Sequence, residues 1–195
     1  MPTLSGRLAS TLVVACLLTG CQPAAPTPTP VPTYRCTPEA GGAEFECSQK
    51  QYDDMVAKDK LYAEAEAVYR RFLAEDLRIG RAGGVTEPTE ELLAVATGAF
   101  LDDVIAGYRE DKSQGITVRG GDRLLKSLKR LVGVAKAGSS VALGVCVDSS
   151  SVEVFRAKRR IGSGLITSDE LYFGQAKGVL KILGADGEEV ESCGS

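Results

Sequence analysis

The chain has 195 residues, with 23 lysines and arginines against 26 acidic residues and no histidine, for a net charge of −3. That mild acidity argues against a nucleic-acid partner, and the missing imidazole removes the usual base of a serine or cysteine triad and the commonest transition-metal ligand. The length suits one domain with a genuine core rather than two.

In chain order, Arg7 is the sole charge of the first twenty residues, so the remainder is one unit more acidic. An apolar run from Leu8 to Leu18, too short to span a bilayer, leads to Leu17, Leu18, Thr19, Gly20 and Cys21. This pattern resembles the export signal of bacterial lipoproteins. The resemblance implies removal of residues 1–20, lipidation of Cys21, and a protein anchored in the bacterial cell membrane facing outside the cytoplasm. Several acyl chains, at about 0.8 kcal/mol per buried methylene, give stable anchoring where one would not. Residues 21–35 then read as a tether, with Pro23, Pro26, Pro28, Pro30 and Pro32 and almost no charge. Extended polyproline geometry at about 3.1 Å per residue gives it a reach of roughly 40 Å. Residues 36–195 are left as a single globular domain.

Six cysteines are present. Cys16 leaves with the signal and Cys21 carries lipid, so Cys36, Cys47, Cys146 and Cys193 remain, an even number suited to two disulfides outside the cytoplasm. Three pairings are possible, of which Cys36 with Cys47 and Cys146 with Cys193 is the least awkward topologically. In the loop-entropy view these closures contribute roughly 3 and 4 kcal/mol. A metal site is not expected, because the spacings match no zinc ligand pair.

Ser48 followed by Gln51 is a capping box, and Tyr52, Met55, Tyr62, Ala65, Tyr69 and Phe72 recur behind it at helical spacing. The spacing predicts a long helix to about Asp76, broken by Gly80, Gly83 and Gly84. Thr86 or Thr89 opens a second, short helix containing Leu92, Leu93, Val95 and Ala96. A third carries Phe100, Leu101, Val104, Ile105 and Tyr108 and stops before Gly115. The texture then changes to strands: Val141 to Asp148, Val152 to Phe155, Leu171 to Phe173 and Val179 to Leu183, with Asp186-Gly187 as a hairpin turn. Leu124 to Lys136 is ambiguous, its period favouring helix.

Three helices followed by an antiparallel sheet, with the Leu17–Cys21 box, the Ser48–Asp76 helix, the strand holding Cys146 and the terminal Cys193, resemble small exported lipoproteins of NTF2-like fold. The resemblance implies an α+β domain shaped as a cone, with three N-terminal helices packed on one curved antiparallel sheet, and makes Leu124 to Lys136 a strand.

No nucleophile elbow, phosphate loop or dinucleotide fingerprint is present. Proton-shifting enzymes of the NTF2-like kind place tyrosine and aspartate in the cone, for which Tyr62, Tyr69, Tyr108, Asp76, Asp102 and Asp103 are candidates, though none sits in a matching motif. The favoured expectation is a non-catalytic, cofactor-free envelope protein that binds a small apolar ligand or lipid in a pocket lined by Tyr69, Phe72, Phe100 and Tyr108. The alternatives are a protein-interaction or envelope scaffold module with a closed core, and an NTF2-like isomerase or dehydratase. Two basic clusters stand out: Arg119, Arg123, Lys126, Lys129, Arg130 and Lys136, then a hairpin rim of Arg156, Lys158, Arg159 and Arg160. Either is suited to anionic headgroups or acidic envelope polymers.

Overall fold

The computed structural model describes residues 32–136 and 138–194. The expected export signal, Cys21 and most of the expected tether lie outside the described residues. The chain first forms a small hairpin from β1 (Tyr34–Cys36) and β2 (Phe45–Cys47), closed by the Cys36–Cys47 disulfide. Helix α1 (Gln49–Ala82) follows at once. Ser48 starts it because its hydroxyl accepts from the Gln51 amide while the Gln51 side chain accepts from the Ser48 amide at 2.9 Å, a reciprocal cap.

The helix does not stop near Asp76. It continues through Gly80, which is not a breaker here: an added Cβ would lie 3.0 Å from a Val118 methyl, so the bare backbone is a seat for the strand packed across it. Gly83 ends the helix in the left-handed conformation, with its amide and that of Gly84 donating to the Gly80 and Ile79 carbonyls. α2 (Glu90–Val95) is capped by the Thr89 hydroxyl, and α3 (Gly98–Gln114) ends at left-handed Gly115.

The remaining strands are β3 (Ile116–Arg119), β4 (Leu124–Arg130), β5 (Val141–Asp148), β6 (Glu153–Arg156), β7 (Arg159–Ser163), β8 (Ile166–Ala176) and β9 (Val179–Glu189). They form a three-stranded sheet, β3-β6-β7, and a four-stranded sheet, β4-β5-β8-β9, with every pairing antiparallel. The domain is therefore α+β but not the NTF2-like cone expected. Two strands precede the helices, only α1 is long, and the strands divide among three sheets instead of one curved sheet carrying three N-terminal helices. Close backbone crossings made possible by glycine mark the break between the larger sheets. A Cβ on Gly121 would lie 2.3 Å from the Ser151 carbonyl oxygen, and one on Gly164 2.4 Å from that of Ser149.

One ambiguity is resolved and one further expectation is corrected. Leu124–Arg130 is a strand, as the resemblance implied against its helical period, and a bulge between Leu125 and Ser127 explains that period by placing the two half-buried positions, Leu125 and Leu128, three residues apart. Asp186-Gly187 is not a turn. It lies within β9, where Gly187 faces Asp169 and an added Cβ would fall 2.0 Å from the Asp169 carboxylate; the reversal occurs instead at Lys177-Gly178, both with positive φ.

Strand β5 is buried from Val141 to Val147. Its Val141, Leu143, Val145 and Val147 face Tyr62, Ala65, Val68 and Tyr69 of α1 in the main core, with Phe173, Leu180 and Ile182 completing it. A second cluster joins Ile79, Leu92, Ile105 and Tyr108 between the helices. Cys146 points to the opposite face of β5 and closes the second disulfide with Cys193.

Gly84 sets the approach of α1 to α3. It has φ +81°, and a Cβ there would lie 2.3 Å from the Tyr108 carbonyl oxygen. Gly84→Ala is expected to destabilise the domain by about 2–3 kcal/mol, from left-handed strain plus overpacking. Gly83→Ala, whose Cβ would meet only a Thr117 methyl at 3.1 Å and a carbonyl oxygen at 3.5 Å, is expected to cost about 1 kcal/mol; urea unfolding of the two variants compares them.

Candidate functional site

A crevice of about 290 Å³ opens between α1 and the two larger sheets. Its walls are apolar: Tyr69, Phe72 and Leu73 from α1, Val118 and Val154 from the small sheet, and Val147 from the large one. Asp76, Arg123, Thr167 and Asp169 add polar groups. Each is placed by a local rule. Tyr69, Phe72, Leu73 and Asp76 share one helical face at three- and four-residue spacing. Thr167 and Asp169 take alternate positions on β8, opposite Val147 and Val145, and so look inward like Leu171 and Phe173 beyond them.

Asp76, 9% exposed, accepts a hydrogen bond from the Tyr108 hydroxyl at 2.8 Å and forms an ion pair with Arg123. Burial lowers the Arg123 guanidinium pKa, and its Nε is without a hydrogen-bond partner among the described residues. Burial, followed by the charges of Glu75 and Asp111, raises the Tyr108 phenol, which stays a donor at any physiological pH. Glu75, beside Asp76 and 6% exposed, belongs to a separate structural clasp. It accepts from Arg78 at 2.6 and 2.7 Å and from the Thr89 hydroxyl at 2.6 Å, tying α1 to the start of α2. Chiefly through Arg78, this clasp holds its carboxyl below the ordinary range.

Asp169 differs from both. Burial pushes its carboxyl upward, opposed by the Thr167 hydroxyl donating at 3.0 Å, and the Tyr69 phenol is raised by burial and then by Asp169. The crevice thus holds one neutralised carboxylate, Asp76, and one carboxyl poised to share a hydrogen bond, Asp169. Apolar walls around a few converging polar groups are the usual make-up of a small-molecule site. The described residues contain no cluster of three or more histidine, cysteine or acidic side chains able to hold a metal.

Of the four expected pocket residues, Tyr69 and Phe72 line the crevice. Phe100 stands behind Phe72, ring centroids 5.4 Å apart, and Tyr108 reaches the site only through Asp76. Tyr62 is elsewhere, donating to Glu39 at 2.6 Å beneath the Arg130 guanidinium, and Asp102 and Asp103 are exposed on α3. The first basic cluster disperses. Arg123 turns into the crevice, Arg130 pairs with Asp59 at 2.5 Å and Lys136 with Asp186 at 2.5 Å. Arg156, Lys158, Arg159 and Arg160 stay together around the β6–β7 turn. Sequence reasoning missed Thr167 and Asp169, although polar residues at the inward positions of the Thr167, Asp169, Leu171, Phe173 alternation were the available signal.

A carboxyl raised by burial favours its protonated form in the folded state, so it costs stability above its folded pKa and this cost disappears as pH falls below the unfolded value. Asp169→Asn is therefore expected to raise Tm at pH 7–8, with the gain shrinking as the pH drops through the carboxylate range. Thermal melts across pH check this; a constant difference would mean that Asp169 carries no shifted proton.

No family model matches the chain, and no curated protein matches it. Among solved structures, the chain is similar to a de novo designed β-sheet protein, at 15% identity and a TM-score of 0.33, over 63% of this chain and 88% of that one. It is also similar to the intermembrane space region of the chloroplast protein ARC6, at 19% identity and a TM-score of 0.34, over 66% of this chain and 95% of that one. At these scores neither likeness assigns a fold or an activity.

Proposed function

We propose that this chain is a non-catalytic, lipid-anchored binding module of the bacterial cell envelope, which takes a small, mainly apolar ligand with one hydrogen-bonding group into the crevice between α1 and the two larger sheets. The observation that carries this reading is the crevice itself, where walls such as Phe72, Val147 and Val154 surround the raised carboxyl of Asp169. At about 290 Å³ it lies at the lower edge of the range for small-molecule sites, so the ligand is compact. A scaffold with a closed core has no need of such an opening. The two disulfides mark an oxidising, extracytoplasmic setting. No helix among the described residues is long and apolar enough to cross a membrane. The anchor in this reading is lipid on Cys21, with residues 22–35 as spacer.

Val154 is half-buried at the crevice wall, so Val154→Phe fills the space from its open side. The wild-type chain is expected to bind an apolar fluorescent probe and to retain a passenger in native mass spectra. The variant should lose probe affinity about tenfold or more, in line with a few kcal/mol for steric exclusion from an apolar pocket, while keeping its disulfides and near-ultraviolet circular dichroism. Equal probe binding by both chains would remove the crevice as the site. Intact mass tests the anchor: a mature chain beginning at acylated Cys21 is expected, and an unmodified Cys21 would refute it.

A further inference from the structure

The β6–β7 hairpin is the most cationic feature that the crevice does not use. Between Ser149 and Leu165 the sequence holds Arg156, Lys158, Arg159 and Arg160 against the single acid Glu153, in a chain that is acidic overall. Glu153 accepts from Arg160 at 3.0 Å, Arg156 donates to the neutral amide of Gln114 at 2.6 Å, and Arg119 lies over the Phe155 ring at 4.8 Å on the neighbouring strand. The turn has two residues, Ala157 and Lys158, both with positive φ, joining the paired Arg156 and Arg159. Glycine or asparagine suits such a turn best, yet a lysine occupies it. Ile161 and Leu165, 50% and 51% exposed, stand on and just after the same outer strand.

We infer that this hairpin is a docking surface for a bilayer rich in anionic lipid. Cations alone are open to two simpler explanations: β7 is an edge strand, which charge protects from pairing with other chains, and an acidic polymer would also be attracted to them. Neither accounts for two large aliphatic side chains left in water beside the charges. An interface does, because headgroups take the guanidinium and ammonium groups while Ile161 and Leu165 enter the acyl boundary. The hairpin's charges and Ile161 lie outside the crevice, whereas Leu165 also stands at its mouth.

Hydrogen exchange on the full chain tests it with a local readout that holds whether or not lipid at Cys21 already keeps the protein on the vesicle. Phosphatidylcholine vesicles with and without phosphatidylglycerol are compared. The expected result is slowed exchange across residues 153–165 only with phosphatidylglycerol, reversed by high salt. Lys158→Asn with Arg159→Gln removes two exposed charges and gives the left-handed position a residue that tolerates it. The phosphatidylglycerol concentration needed for that protection should rise about 30-fold, at roughly 1 kcal/mol per near-surface charge. Ile161→Ser with Leu165→Ser should weaken protection at unchanged charge. Equal exchange with both vesicles, equal protection by soluble polyglutamate, or no response to the serine pair would each overturn the inference. Unaltered exchange in the α1 core of each variant shows that the fold has been kept.

Discussion

A carboxylate buried on a helix must be paired, and the pairing of Asp76 is the constraint on which the arrangement of this domain rests. An unpaired buried charge costs several kcal/mol, so Asp76 cannot be enclosed unless α3 delivers the Tyr108 hydroxyl and the segment before β4 delivers Arg123. Two parts of the chain distant in sequence are thereby fixed to one point on α1. Gly84 lets the backbone of α3 come close enough. Gly80 lets β3 lie against the same helix one turn earlier. The crevice is the space left beside this junction, walled by side chains of α1 and of both larger sheets.

The same constraint divides the work between two acids. Asp76 is neutralised by Arg123, and its nearest phenol cannot ionise at ordinary pH, so it acts as a fixed structural dipole. Asp169 has the Thr167 hydroxyl for company and no ion-pair partner among the described residues, on a strand whose further inward residues, Leu171 and Phe173, are apolar. Gly187, on the adjacent strand, leaves the room this carboxyl occupies. A polar group held in this way is costly to the fold, and in the proposed reading it is the group that a ligand would meet.

Local chemistry was legible in the sequence and tertiary exchange was not. The Ser48 and Gln51 cap and Gly115 as a stop are written within four residues and form as read, and of the two candidate starts for α2 it is Thr89 that caps it. The pairing of four cysteines could also be chosen by economy of topology. Where reading failed, a distant partner had changed what a residue meant. Gly80 reads as a breaker until Val118 is placed over it, and Asp186-Gly187 reads as a turn until Asp169 needs the space. Leu125 and Leu128 look helical because a bulge adds one residue to a two-residue period. The division into separate sheets depends on backbone crossings at Gly121 and Gly164, which no periodicity displays. Within the site, Tyr69 and Phe72 were recognisable from a helical stripe and Asp76 only as a candidate that the resemblance suggested, whereas Arg123 was concealed in a run of surface cations.

The Cys146–Cys193 bond joins β5 to the tail that follows β9, although β8 lies between those strands. Strands β6 to β9 are therefore enclosed in one covalent ring. Tension applied at the C-terminus cannot strip β9 from the sheet edge, because the load passes through sulfur directly to the buried central strand. Under oxidising conditions one edge strand of that sheet, β9, is secured through a covalent link, whereas the other edge, β4, is held by non-covalent contacts alone; a reductant would remove that asymmetry.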